Sequence, residues 1–243
     1  MNILIFHRIV KRNISNWADI KADLIENTLK NISESGKSVS SIINASLHSD
    51  PIIFTFDDGH KSDFEIVFPL LKKYNYTATF FIVPEKIGML GYMTWQDIRT
   101  LYKNGMEIGS HSLSHRYMTS LSEDELKKEF VESKKILEKG LNTQIKSFAY
   151  PYGDFSRRTN KLAESAGYKY ICTSRPGSSS KEKFVLNRNS IHSKMNQSDT
   201  NKIIFNNSKY LITRLVKYSV LKFLKTIIGI EKYLKIKEII YIK

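Results

Sequence analysis

The stretch PIIFTFDDGH, residues 51–60, places two adjacent carboxylates directly behind an apolar run. Residues 52–56 are all β-branched or aromatic, which is typical of a buried strand. Asp57 and Asp58 follow this run side by side, and two ionised carboxylates so close together repel each other. Charge at the end of a buried strand persists when a cation or hydrogen-bond donors stabilise it. The stretch therefore predicts a core strand that ends at a polar site.

The rest of residues 1–207 alternates strand-like runs with amphipathic helical patterns. The strand-like runs occur at residues 2–6, 52–56, 77–83, 106–110, 145–150, 168–173 and 184–191. The helical patterns occur near residues 16–32, 63–74, 94–104, 122–139 and 157–166. Alternation at this spacing indicates a parallel sheet covered by helices. We predict an α/β fold, a distorted (β/α) barrel of about seven parallel strands, with an open doubly wound sheet as the alternative.

Two of the predicted helices begin with a capping box. Thr94 is followed three residues later by Asp97, and Ser122 is followed three residues later by Glu125. Each pair can satisfy two backbone N–H groups that have no partner at the start of a helix. Gly140 predicts the end of the second of these helices, because glycine is the usual residue just past a helix.

The composition of the chain indicates which partners and which cellular compartment to expect. The 243 residues carry a formal net charge of +14, which favours an anionic partner where the charge is clustered. Cys172 is the only cysteine, so no disulfide can form within the chain, and its apolar context predicts a small buried side chain. The N-terminus lacks a signal-peptide pattern, and no apolar run is long enough to span a membrane. We therefore expect a cytoplasmic protein, or one that is peripheral on the inner face of the membrane.

Polar and ionisable residues gather after or within the strand-like runs. The carboxyl ends of parallel strands share one face of an α/β protein, where loops build the active site. We therefore expect one group of residues, remote in sequence, to meet at this face: His7, Asp57, Asp58, His111, His115, Tyr152, Arg188 and His192.

A divalent cation would stabilise the crowded carboxylates. One carboxylate and two neutral imidazoles form a three-ligand site with a position left for water, a common catalytic arrangement for zinc and also for iron(II). His111 and His115 are four residues apart and can present both rings to one ion. We predict Asp58, His111 and His115 as the ligands. Asp57 then stays uncoordinated beside a water acidified by the metal, where it can act as a general base.

Three motifs, TFDDGH, HSLSH and FAYPYGDF, resemble in order and spacing those of the polysaccharide deacetylases of the NodB-homology type, carbohydrate esterase family 4. The resemblance covers residues 3–191, and the three motifs together are highly specific. It implies a distorted (β/α) barrel that removes acetyl groups from N-acetylated sugars with a bound divalent metal. Zn²⁺ is the expected ion, with Ni²⁺, Co²⁺ or Fe²⁺ as alternatives. The opening LIFHRI resembles the branch of the family that acts on poly-N-acetylglucosamine.

The resemblance also implies a role for each matching residue. Asp57 takes the role of the base, and Asp58, His111 and His115 take the roles of the metal ligands. The backbone N–H of Tyr152 takes the role of the donor to the oxyanion.

Two positions depart from the family pattern. Ala149 stands where family members often carry an arginine that orients the base. Arg188 is the candidate replacement, and an ordinary surface cation is the alternative. The late Leu-x-x-His that supplies the general acid is matched only loosely, by the run that ends at His192. In the poly-N-acetylglucosamine branch the acid follows the first strand, which here implies His7, and either imidazole can protonate the departing amine near neutral pH.

Residues 208–243 form a basic tail beyond the predicted catalytic domain, residues 1–207. Residues 209–243 carry nine basic and two acidic side chains, and their apolar residues recur at helical spacing. This pattern predicts a basic amphipathic helix on an anionic membrane surface, or a helix packed on the barrel with its basic face in solvent.

The sequence thus predicts a metal-dependent N-deacetylase that hydrolyses the acetamide of N-acetylated glycans to a free amine and acetate. The alternative is a catalytically inactive carbohydrate-binding relative at the membrane surface. A nucleic-acid partner is not expected, because the barrel portion lacks clustered basic residues interleaved with aromatics. Iron-dependent oxygenation fits the three ligands alone, but it does not account for Asp57 or for the third motif.

Overall fold

A curved parallel sheet dominates the computed structural model, which describes residues 1–180 and 182–229. The strands are β1 (Asn2–Phe6), β2 (Ile9–Val10), β3 (Ile20–Lys21), β4 (Val39–Ser40), β5 (Ile52–Phe56), β6 (Thr79–Ile82), β7 (Glu107–Ser110), β8 (Ser147–Ala149), β9 (Tyr170–Cys172), β10 (Val185–Leu186) and β11 (Asn189–Ser190). The main sheet has the order β10-β9-β8-β7-β6-β5-β1-β11, with β4 also paired to β5, and β2 pairs separately with β3. Every pair of these strands is parallel.

The two edges of the main sheet come together, so the sheet is curled. β10 and β11 lie at opposite ends of the strand order, yet only Asn187 and Arg188 separate them in sequence. Three consecutive Cα steps span at most about 11 Å, which is therefore the largest possible gap between the facing ends of these strands. The predicted distorted (β/α) barrel of parallel strands is confirmed, and the open doubly wound alternative is wrong.

The described residues form seven α-helices: α1 (Ala22–Glu34), α2 (Phe68–Lys73), α3 (Trp95–Lys103), α4 (Glu123–Leu141), α5 (Arg157–Ser165), α6 (Gln197–Ile204) and α7 (Ser208–Ile228). Both predicted capping boxes are present, at the starts of α3 and α4. A π-helical turn, Asp63–Val67, leads into α2 shortly after the paired aspartates. Such turns are frequent at functional sites.

The first helix begins six residues later than the sequence predicts, at Ala22 rather than near residue 16. The side chain of Asp19 accepts hydrogen bonds from the backbone N–H groups of Ser15 and Asn16 and forms an ion pair with Arg8. These bonds offer the backbone an alternative to the helix. Residues immediately before the helix also pair as β3 with β2, which leaves Trp17 in a loop rather than on a helix.

The fourth helix extends past Gly140, which the sequence places at its end. The helix ends instead at Asn142, which has a left-handed backbone with φ 51°. Gly140 lies inside the helix because the indole of Trp95 packs against its backbone. A Cβ at this position would lie 2.2 Å from the Trp95 ring. Gly140 therefore allows the indole of Trp95 to pack closely against α4, and it does not end the helix.

Side chains alternate along the strands between two apolar clusters, as the period of a strand requires. Leu4, Phe54 and Phe80 belong to the larger cluster, in which helices cover the sheet. Ile3 and Ile53 belong to a smaller cluster inside the curl of the sheet. Cys172 is also in this interior cluster, and burial raises the pKa of its thiol to about 12, as expected for an unreactive packing residue.

The alternation places the first carboxylate of the pair inside the barrel. Ile53 and Thr55 point into the interior, and Asp57 continues the same alternation two residues later. The side chain of Arg188 is fully buried and reaches both Thr55 and Asp57. The strand register therefore carries Asp57 into the interior, at the carboxyl end of the strands.

The predicted tail contains the helix α7, which begins at the predicted boundary, residue 208. Leu211 is buried and packs with the larger cluster, and Arg214 donates to the backbone oxygen of Ser190, so the helix lies against the barrel. The remainder of the predicted tail, residues 230–243, is outside the described residues. Among the helices of the described part of the chain, none combines the length and the apolar character that crossing a membrane requires.

Candidate metal centre and catalytic cleft

Asp58, His111 and His115 converge at the carboxyl end of the barrel strands. One ligand atom from each lies within 4.8 Å of the other two. The distance from Asp58 Oδ1 is 2.8 Å to His115 Nε2 and 3.5 Å to His111 Nε2. Asp58 follows β5 and His111 directly follows β7, so the parallel sheet brings them together as the sequence predicts.

The backbone turns sharply at the ligands. Asp58 has φ 77°, His115 has φ 64° and Ser112 has φ 63°, all in the left-handed region that residues other than glycine rarely adopt. Such conformations cost roughly 1–3 kcal/mol each and persist where the surrounding structure fixes them. The loop at residues 111–115 is fixed in this way by Glu129 of α4, whose carboxylate accepts the N–H groups of Leu113 and Ser114.

His111 is held in the orientation that a metal ligand needs. Its Nδ1 lies 2.8 Å from the backbone oxygen of Ala149, which fixes the proton on Nδ1 and leaves Nε2 with a lone pair facing Asp58. Burial lowers the pKa of His111 to about 4, so the imidazole is neutral at pH 7. A neutral imidazole is the form that binds a cation.

The oxygen of Asp58 and the two imidazole nitrogens are arranged as ligands of a divalent cation and not as partners in hydrogen bonds. Asp58 Oδ1 is buried and makes no hydrogen bond of acceptable geometry with any described residue, although two imidazole nitrogens lie nearby. Burial raises the pKa of Asp58, but the imidazoles of His115 and His60 outweigh burial and hold that pKa well below the usual range. An ionised carboxylate and two imidazoles are a ligand set typical of zinc and of iron(II).

Asp57 has a different partner from its neighbour. The guanidinium of Arg188 binds both of its carboxylate oxygens, at 2.7 Å and 2.8 Å. Burial raises the pKa of Asp57, but Arg188 and His111 outweigh burial and lower that pKa below its usual range. Asp57 is therefore ionised at neutral pH, and the nearest imidazole nitrogen, Nε2 of His111, lies 3.9 Å from it.

Arg188 is not a surface cation. Besides Asp57 it donates to Thr55 Oγ1 and to the backbone oxygen of Thr173, and its side chain is completely buried. Arg188 lies in the link between β10 and β11, where the two edges of the sheet meet. Arg188 therefore contacts the carboxylate that an arginine at position 149 was expected to orient.

The two candidate proton donors both line the same cleft as the paired aspartates. His7 follows β1, and its ring lies edge-to-face with that of Trp17. Burial lowers the pKa of His7, and the charges of Asp58 and Asp57 oppose that shift. His192 follows β11 on the other side of β1. Both histidines thus stand at the wall of the cleft that a substrate would enter.

Tyr152 forms part of the rim of the cleft. Its backbone is left-handed, with φ 58°, and its ring stacks on Tyr117 with centroids 4.0 Å apart. The same ring contacts the imidazole of His115 edge-on. Gly153 is required next to it, because a Cβ there would lie 2.7 Å from Cβ of Ser174. The motif therefore sets the ring of Tyr152 beside the predicted ligand His115.

All eight predicted site residues except Arg188 line one cleft with a volume of about 980 Å³, and Arg188 lies beneath it against Asp57. The cleft is also lined by Trp17, Tyr117 and Asp154, which the sequence analysis did not select. Asp154 stands in the third motif and could have been found there, whereas Trp17 and Tyr117 carry no signal in the sequence. Helix α7 forms one wall of the cleft, with Arg214 and Lys225 among its lining residues.

A buried carboxyl near the site was also not predicted. Asp63 begins the π-helical turn, is completely buried, and has no hydrogen-bond partner for either side-chain oxygen among the described residues. Burial and the charges of Asp58 and Asp57 raise its pKa well above the usual range. Burial and the nearby charges thus favour the protonated form of this carboxyl.

Comparisons with known proteins assign the same motifs to one family. A family model described as polysaccharide deacetylase matches residues 44–171. The protein YxkH of Bacillus subtilis is 30% identical over 139 residues, which cover 56% of this chain and 50% of YxkH. A poly-beta-1,6-N-acetyl-D-glucosamine N-deacetylase of Staphylococcus aureus is 30% identical over 129 residues, covering 47% of this chain and 44% of that protein. The chain thus spans about half the length of these curated relatives.

A solved structure shows the same fold. The Streptococcus pyogenes deacetylase PplD in complex with acetate has a TM-score of 0.77 and 24% identity, over 84% of this chain and 97% of that chain. Identity at this level establishes the fold alone. The family model, in contrast, matches more than half of the sequence and includes Asp57, Asp58, His111, His115 and Tyr152. This chain belongs to the polysaccharide deacetylase family.

Proposed function

We propose that this chain is a metal-dependent N-deacetylase that hydrolyses the acetamide of an N-acetylated sugar to a free amine and acetate. The observation that carries the proposal is the arrangement of the paired aspartates: Asp58 faces two imidazoles, and Asp57 stays apart from them against Arg188. Family membership supports hydrolysis of a carbohydrate amide, and the name of the Staphylococcus aureus relative supports an N-acetylglucosamine unit in the substrate.

Asp58, His111 and His115 would hold the cation, and Zn²⁺ is the ion that we propose, with Ni²⁺, Co²⁺ and Fe²⁺ as alternatives. When bound, a divalent cation would acidify a water molecule and polarise the acetamide carbonyl. The protein contributes a neutral His111 fixed by the oxygen of Ala149 and an ionised Asp58, so these two ligands already have the protonation states that bind a cation.

Asp57 acts as the general base in this proposal. Its carboxylate is ionised at neutral pH and lies close to the ligand group without belonging to it. It would take a proton from the attacking water as the water oxygen bonds to the carbonyl carbon. Arg188 fixes both carboxylate oxygens, so the base has one orientation, and positioning of this kind is a large part of catalysis.

The charge that develops on the carbonyl oxygen would be stabilised by the backbone N–H of Tyr152. A single donor aimed at an oxyanion contributes about 3 to 4 kcal/mol to lowering a barrier of this type. As the carbon–nitrogen bond breaks, the departing nitrogen receives a proton from His7 or His192, which both line the cleft. The products are acetate and a free amine on the sugar.

The size of the cleft favours a segment of a glycan over a single small molecule. Its volume of about 980 Å³ is at the upper end of the range for ligand sites. The stacked rings of Tyr117 and Tyr152 lie along the rim, where a sugar ring can pack on an aromatic face.

The proposal is tested by incubating the metal-loaded protein with a panel of N-acetylated oligosaccharides and measuring acetate and free amine together. We expect equal amounts of acetate and amine from at least one N-acetylglucosamine oligomer. Binding of the oligosaccharides without acetate release would identify the chain as an inactive carbohydrate-binding relative and overturn the proposal.

A further inference from the structure

Helix α7 exposes an apolar row that an ordinary surface helix would bury. Surface helices direct their apolar stripe towards the core and their charges towards solvent. Here a row of large apolar side chains is 39% to 65% exposed on the outer side of the helix: Ile212, Val216, Val220, Phe223, Leu224 and Ile227. Their spacing of mostly three or four residues places them on one face. We call this face the outer stripe.

The inner face of α7 carries Leu211, which packs on the barrel core, and basic side chains that contact the cleft. Arg214 donates to the backbone oxygen of Ser190, and Lys225 forms an ion pair with Asp154 at 3.0 Å. The ammonium groups of Lys222 and Lys225 also lie over the rings of Phe155 and Tyr117, respectively. These contacts fix which side of the helix faces the cleft, and they leave the outer stripe directed away from the barrel.

An apolar row flanked by polar side chains on a protein surface marks an interaction site. The charge of the helix indicates its partner. α7 contains five basic residues and no acidic residue, and the whole chain has a formal net charge of +14. Such a helix fits a surface that is anionic outside and apolar beneath, whereas two copies of this chain would bring like-charged helices together.

We propose that α7 lies flat on an anionic lipid bilayer, with the outer stripe in the boundary between headgroups and acyl chains. Lys209 and Lys217 are exposed, and their long side chains can reach the anionic headgroups. The helix lies on the bilayer and does not cross it, in agreement with its mixed composition. The inference does not rest on the proposed deacetylase activity.

Docking in this way would bring the cleft close to the membrane. The inner face of α7 lines the cleft and the outer stripe contacts the lipid, so one helix diameter, about 10–12 Å, separates them. A glycan held near the bilayer would therefore be in reach of the site.

The test is sedimentation of the purified chain with vesicles of phosphatidylcholine alone and of phosphatidylcholine mixed with phosphatidylglycerol, at low and high salt. We expect binding to the mixed vesicles, weaker binding at high salt, and much weaker binding to phosphatidylcholine. The triple variant Val216→Ser, Val220→Ser, Phe223→Ser should bind the mixed vesicles at least about tenfold more weakly. The variant pair Val131→Ser, Ile136→Ser removes exposed apolar side chains from α4 instead and should bind as the wild type does.

Three results would overturn the proposal. The first is an absence of binding to the anionic vesicles, or equal binding by the wild type and the triple variant. The second is a dimer in sedimentation equilibrium that the triple variant abolishes, which would assign the outer stripe to a second copy. The third is a large loss of thermal stability in the triple variant without vesicles, since that would mean that another part of the chain covers the stripe. Acetate release is not measured in this experiment, so its outcome is separate from that of the proposed function.

Discussion

Asp57 and Asp58 are adjacent in sequence, yet they have different electrostatic environments. The guanidinium of Arg188 binds the first carboxylate, and the imidazoles of His111 and His115 surround the second. Two carboxylates with separate partners can take separate roles, because the surroundings and not the residue type decide the chemistry. The repulsion between the two carboxylates that the sequence predicts is thus relieved, because each carboxylate faces its own nitrogen groups.

Replacing Asp57 with asparagine should abolish most of the acetate release while leaving the metal bound. Loss of a general base typically lowers the rate by about 10²- to 10⁴-fold. The measurement is kcat for acetate release together with metal content by mass spectrometry, with Asp58→Asn as the matched variant, which should lose the metal. If Asp57→Asn lost the metal and Asp58→Asn kept it, the two roles would be exchanged.

The substitution Arg188→Lys should move the acidic limb of the pH profile to higher pH. Arg188 lowers the pKa of Asp57 through its charge and through two hydrogen bonds, and an ammonium group keeps the charge but cannot reproduce both hydrogen bonds. The pKa of Asp57 should rise, so the base becomes protonated at a higher pH than in the wild type. The pH dependence of kcat/KM measures this shift, and the exposed neighbour Arg175→Lys is the control. An unchanged limb would mean that Arg188 serves folding alone.

Asp63 should destabilise the fold as pH rises. Its pKa is raised in the folded state, so the folded chain holds this proton more tightly than the unfolded chain does. The stabilising contribution is complete below the unfolded pKa of about 3.9 and is lost as pH rises through the folded value. Asp63→Asn stays neutral, so its thermal stability relative to the wild type should increase from about pH 4 upwards. A difference that stays constant with pH, measured in chelator, would contradict this account.

At the scale of single elements, the sequence predicts the strands and most helix starts well. The run at residues 52–56 is a strand from its first to its last residue, and Thr94 and Ser122 cap helices as expected. These features depend on neighbours in sequence. The start of α1 could not be predicted, because Asp19 is held by Arg8 across a loop and β3 pairs with β2.

Gly140 is a second feature that neighbours in sequence do not predict correctly. Its neighbours in sequence favour a helix end, but the position is decided by Trp95, from a different helix. An exposed glycine inside a helix is usually less stable than alanine by about 1 kcal/mol. Here the added methyl group would overlap the indole, so Gly140→Ala should lower the thermal stability.

The measurement is the melting temperature of Gly140→Ala beside that of Lys139→Ala, an exposed substitution one residue earlier in the same helix. The variant pair Trp95→Leu, Gly140→Ala should recover part of the loss relative to Trp95→Leu alone, because the smaller side chain leaves room for the methyl group. A stabilising effect of Gly140→Ala in the wild-type background would show that the ring does not pack there.

At the scale of the whole molecule, the curl of the sheet brings the residues of the site together. His7, Asp58, His111 and Tyr152 follow four different strands, and Arg188 comes from the link where the sheet edges meet. The convergence of the strand ends follows from the strand and helix alternation, so the ligand set could be predicted. The contact between Arg188 and Asp57 could only be suggested, because it depends on how the last strands close the barrel.

The position of α7 could not be predicted from the sequence. Helical spacing identifies an apolar and a basic face, but it does not say which face contacts the barrel. The sequence predicts either a helix on a membrane surface or a helix packed on the barrel with its basic face in solvent. The helix packs on the barrel, but Arg214 and Lys225 of its basic face point towards the cleft. This orientation follows from partners such as Asp154 and the backbone of Ser190, which are remote in sequence.

The most direct test of the account is zinc binding by the chelator-treated chain, measured by titration calorimetry with metal content as a second readout. We expect one Zn²⁺ per chain in the wild type and in Asp57→Asn. We expect loss of that site in each of Asp58→Ala, His111→Ala and His115→Ala, because three ligands are the fewest that hold a catalytic zinc. A wild-type chain that takes up no zinc, or histidine variants that bind it as the wild type does, would contradict the account.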